Sequence, residues 1–73
     1  MSELRIIGAK GDMKVEWNPD EVAEVEVARK VFEENTKKGF HAFCIDDGQK
    51  GKEMKKFNRY AQKILLIPPI AGG

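Results

Sequence analysis

One cysteine, one histidine, one tryptophan and one tyrosine are all that this 73-residue sequence holds of those residue types. A lone Cys44 cannot close an internal disulfide, which points to a reducing compartment. With a single histidine beside it, the three or four ligands of a zinc site cannot be assembled from His and Cys. His41 and Cys44 lie three positions apart in a segment that reads as a strand, so they face opposite ways and make no nucleophile–base pair. No apolar run approaches the roughly 20 residues needed to span a bilayer. The Met1-Ser2-Glu3-Leu4-Arg5 start lacks the basic-then-apolar pattern of a signal peptide. A soluble, cytoplasmic protein with no membrane partner is therefore expected. Asp46-Asp47-Gly48 lacks the spaced carboxylates of a calcium loop. Gly51-Lys52 lacks the Ser or Thr that completes a phosphate loop. No bound metal or cofactor and no intrinsic enzymatic activity are expected.

Net charge of one sign is also missing: thirteen basic against twelve acidic residues leave +1. The whole chain is thus neither a polyanion binder nor an acidic tail. Its charges are nonetheless segregated, with five basic and nine acidic groups in residues 1–36 but six basic and one acidic in residues 49–63. Lys50, Lys52, Lys55, Lys56, Arg59 and Lys63 are interleaved there with Phe57 and Tyr60. This is either a solvated face with both rings packed inward or a docking patch for nucleic acid or an acidic protein. The solvated face is the simpler reading. The length allows one domain with a thin core, since a chain of this size buries only about 60% of its unfolded surface.

Alternation and punctuation outline the elements. Leu4-Arg5-Ile6-Ile7, the turn residues 8–12, and Met13-Lys14-Val15-Glu16-Trp17 read as a β-hairpin with Met13, Val15 and Trp17 on one face. Asn18-Pro19-Asp20-Glu21 reads as a helix start, with Asn18 as cap, Pro19 at the first position and Glu21 completing a capping box. Trp17 and Val22 are spaced for a hydrophobic staple. The helix is expected from about 19 to 38, ended by Gly39. Val22, Val25, Ala28, Val31 and Phe32 form its apolar stripe. Glu26–Lys30, Glu33–Lys37 and Glu34–Lys38 are oriented for ion pairs. Residues 40–45 read as a strand, 46–52 as a polar turn, 53–57 as a weak edge strand and 64–67 as a final buried strand. A helix of about 20 residues is about 30 Å long and can cross one face of a small sheet. If the first strand is central, the last can lie parallel beside it. The expected fold is α+β, a ubiquitin-like β-grasp: a mixed sheet of four to five strands with the one main helix packed on one face.

The remaining stretch is the ending, Pro68-Pro69-Ile70-Ala71-Gly72-Gly73. Glycine has no Cβ, so a Gly-Gly carboxylate can thread a narrow channel and be approached from any side. Residues 1–67 are then expected to form the domain, and 68–73 a flexible tail stiffened at its root by Pro68-Pro69. With this element order and ending, the chain resembles the ubiquitin-like β-grasp sulfur carriers, above all the small subunit of molybdopterin synthase, and also the thiamine sulfur carrier. The tail lacks the Arg that precedes Gly-Gly in ubiquitin. The resemblance implies a carrier and co-substrate rather than an enzyme. An ATP-dependent activating enzyme of the ubiquitin-activating type would adenylate the carboxylate of Gly73, following Gly72. The acyl-adenylate would then become a thiocarboxylate for sulfur transfer or be conjugated to a protein amine. ATP would be the partner's cofactor, and a synthase large subunit or sulfur donor a further partner. Ile70 and Ala71 would place the tail in the partner's channel. The alternative is a non-catalytic binding module using the basic 49–63 segment against nucleic acid or an acidic protein, its tail never activated.

Overall fold

The computed structural model describes residues 1–8, 11–45 and 51–69. Its elements are β1 (Ser2–Ile6), β2 (Met13–Trp17), α1 (Val22–Lys37), β3 (His41–Ile45), β4 (Lys52–Met54) and β5 (Lys63–Ile67). The strands form one mixed sheet in the order β2-β1-β5-β3-β4. β5 runs parallel to β1 and antiparallel to β3, with Leu65 between Arg5 and Phe43. The two hairpins, β1–β2 and β3–β4, flank it. The helix covers one face, giving a two-layer α+β domain. Among the described residues no helix is long and apolar enough to cross a membrane.

Strand alternation sorts the side chains. Leu4, Trp17, Ala42, Ile64 and Leu66 are buried against Val25, Ala28 and Phe32 of the helix. Trp17 is fixed further by two long-range contacts. Its Nε1–H donates to the Arg59 carbonyl at 2.9 Å, and its ring meets that of Phe57 at 5.3 Å. Phe57 meets Phe32 edge-on at 5.7 Å. The segment after β4 is thereby folded under the helix, and Ala61 is buried just before β5 begins.

Several expectations are corrected. The helix starts at Val22 rather than near 19. Asn18 spends its oxygens on a turn: Oδ1 accepts from the Asp20 amide and the backbone carbonyl from the Glu21 amide, both at 2.9 Å. An Asx turn of this kind competes with helix capping for the same side chain. The Glu24 carboxylate, not Glu21, accepts the Asn18 amide at 2.9 Å, and Glu21 takes the cap position with no side-chain bond. The staple fails too, because Val22 is 67% exposed while Trp17 is fully buried. On the helix surface Arg29 pairs with Glu26 and, at 3.6 Å, with Glu33. β4 occupies 52–54 rather than 53–57, since Phe57 turns into the core. Tyr60 does not follow it: the ring is 67% exposed under the Arg59 guanidinium, 5.2 Å from the ring centre. Of the expected turn over 46–52, residues 46–50 lie outside the described residues and Lys52 already belongs to β4.

Candidate functional site

β5 carries the chain to one end of the sheet. Its last pair is Ile67 opposite His41, and Pro68-Pro69 follow. Proline has no amide to donate and a fixed φ, so the ladder stops there. The same end receives the helix C-terminus, which closes as a Schellman motif. The Phe40 amide donates to the Asn35 carbonyl at 3.1 Å and the Gly39 amide to Thr36 at 3.0 Å. Gly39 sits at φ +98°, a conformation glycine adopts without strain. Pro69 packs beside it, its ring carbons 3.5 and 3.6 Å from where a Cβ would stand, an ordinary contact distance. Pro68 is half-buried and Pro69 exposed. Ile70, Ala71, Gly72 and Gly73 lie outside the described residues.

Beside this exit is a shallow depression of about 250 Å³ lined by Thr36, Gly39, Phe40, His41, Glu53 and Lys55, among others. His41 Nδ1 stands 3.1 Å from Glu53 Oε2, and Lys55 Nζ 4.0 Å from the same oxygen. The hydrogen bond with His41, and after it the charge of Lys55, holds the Glu53 carboxyl below its ordinary pKa. On the face away from the helix, Phe43 opposes Leu65 and His41 opposes Ile67. Phe43 and Leu65 are half-buried, and Ile67 is 37% exposed. That apolar strip, leading to the exit, was not among the sequence candidates. Its signal was present in the alternation of His41-Phe43-Ile45 against Lys63-Leu65-Ile67.

The basic residues do not gather at one point. Lys52 pairs in register with Cys44, toward the end where β5 begins, whereas Lys55 follows Met54 at the exit end. Lys63 opens β5, with Glu3 on one side and Ile45 on the other. Arg59 is half-buried, Lys55 and Lys56 are exposed, and Lys50 lies outside the described residues. Among the described residues no three His, Cys, Asp or Glu side chains gather as a metal site requires. No family model matches this chain, and comparison with curated proteins and with solved structures likewise finds no match.

Proposed function

We propose that this chain is a ubiquitin-like carrier of β-grasp type, working in the cytoplasm as co-substrate of an ATP-dependent activating enzyme. The observation that carries the reading is the placement of β5. It is the middle strand, gripped by β1 and β3, and it leads through Pro68-Pro69 past Gly39 toward Ile70-Ala71-Gly72-Gly73. The strand order, with one helix across one face, is compatible with a β-grasp. A rigid strand feeding a proline pair gives the chain a fixed point of departure from the sheet. The apolar strip of Phe43, Leu65 and Ile67 would supply the partner with a foothold beside the exit.

The chemistry then belongs to the partner. The Gly73 carboxylate attacks the α-phosphorus of ATP, pyrophosphate leaves, and an acyl-adenylate forms. Hydrosulfide attacks the acyl carbon and expels AMP, giving the thiocarboxylate; a protein amine in its place gives an isopeptide. The proposal requires a free carboxylate on Gly73, so intact mass of the purified protein is the first measurement. Incubation with a ubiquitin-activating-type enzyme, ATP and sulfide should then exchange one oxygen for sulfur, with no exchange when Gly73 is deleted. Unchanged mass with activating enzymes of the sulfur-carrier and modifier classes alike would overturn the reading. The alternative, a nucleic-acid or acidic-protein binding module, rests on exposed Lys52, Lys55 and Lys56. It ranks second because Lys55 already stands beside Glu53.

A further inference from the structure

The two edges of the sheet differ. β4 has three residues and is followed by Lys55 and Lys56, which discourage strand pairing. β2 has five residues and alternates Lys14 with Glu16. The backbone direction at this edge can be read from β1. The Glu3 and Ile7 amides donate to Gln62 and Leu66, so the odd residues of β1 face β5 and its even residues face β2. Ser2, Leu4 and Ile6 oppose Trp17, Val15 and Met13, whose backbone groups therefore turn inward. Lys14 and Glu16 direct their N–H and C=O groups out of the sheet.

Their side chains are mismatched within the chain. Lys14 stands directly opposite Arg5, and Glu16 directly opposite Glu3. Like charges in that relation are destabilising. Arg5 and Glu3 pair with each other at 3.5 Å. Among the described residues, neither Lys14 nor Glu16 has an ion-pair partner.

We propose that β2 is a docking edge for a second copy of this chain, the two strands pairing antiparallel about a two-fold axis through Val15. In that register Lys14 meets Glu16 of the second copy and Glu16 meets its Lys14. Each such pair exchanges two backbone hydrogen bonds from groups that otherwise face water. A shift of the axis to Lys14 or Glu16 sets like charges against each other, so the charge pattern selects one register. Apolar cover is present on the helix side. Met13 is 62% exposed and lines a depression with Val31. Val27, one turn earlier on the same helix flank, is 58% exposed. The joined sheet leaves the β5 exit open in both copies, and the proposal does not rest on the carrier reading.

Charge reversal tests it without threatening the fold. Lys14→Glu gives Arg5 an opposite charge within the chain but sets Glu against Glu16 of the second copy in both cross-strand pairs. Sedimentation between about 10 µM and 1 mM should show the unaltered protein self-associating toward twice the chain mass. Lys14→Glu and Glu16→Lys should each weaken association by about tenfold or more. An equimolar mixture of the two variants should associate again, as should the double reversal in one chain. A monomer throughout that range, or self-association indifferent to the single reversals, or a mixture of the variants that stays monomeric, would overturn the proposal.

Discussion

Where β5 begins, the fold is closed by buried aromatic contacts; where it finishes, by backbone and polar contacts nearer the surface. At the first end Trp17 is held by Phe57 and by the Arg59 carbonyl, 42 residues away in sequence. At the second, the Asn35–Phe40 closure, the proline pair beside Gly39 and the His41–Glu53 bond do the holding. The difference separates stability from presentation. The aromatic end carries much of the buried apolar area and so much of the folding free energy. The exit end carries little of it and can be altered with the fold intact, as a surface that meets partners must be.

The comparison is broken most severely at Trp17. Trp17→Ala removes the largest buried side chain and leaves the Arg59 carbonyl without its donor, at an expected cost of about 3–5 kcal/mol. In a domain this small that is a large share of the total stability, and urea denaturation should show the chain largely unfolded or close to it. Gly39→Ala should cost less, about 1–2 kcal/mol for a Cβ at positive φ. A Cβ there would meet the Pro69 ring only at ordinary contact distance. Relief of the backbone strain would nonetheless shift the turn beside the exit, so activation of the tail should fall by more than stability does; equal losses would remove the distinction between the ends. The smallest effect is expected at Glu53. Its folded pKa is depressed, so its contribution is present above the ordinary carboxylate pKa and is lost as pH falls through the lowered value. Glu53→Gln should therefore show a slight deficit in urea midpoint at neutral pH that vanishes in acid. A deficit that persisted once the carboxylate was protonated would assign the effect to packing.

Much of the architecture was legible because its signals are local. Met13 to Trp17 alternates, Gly39 ends the helix at the left-handed position, and the Ile64–Ile67 run needs burial on a central strand. Asn18-Pro19 misled because an Asx turn and a helix cap are chemically the same opportunity, and nothing local decides between them. Phe57 and Tyr60 could not be separated, since which ring reaches Trp17 depends on how a segment 40 residues downstream returns to the core. The alternation behind the apolar strip beside the exit did not show by itself that the two strands share a face, for a related reason. Phe43 and Leu65 become neighbours only through the β3–β5 register.

The position of residues 63–67 in the middle of the sheet has a consequence for biosynthesis. Until that segment has left the ribosome, the first hairpin with its helix and the second hairpin have no common strand to join them. Completion of the sheet waits on this late, non-local pairing, which slows folding relative to a chain built from neighbouring contacts. A chain cleaved before Lys63 would leave two unpaired halves with open edges, prone to aggregate rather than to act. Any partner that recognises the docked central strand would thereby inspect the folding of the whole molecule.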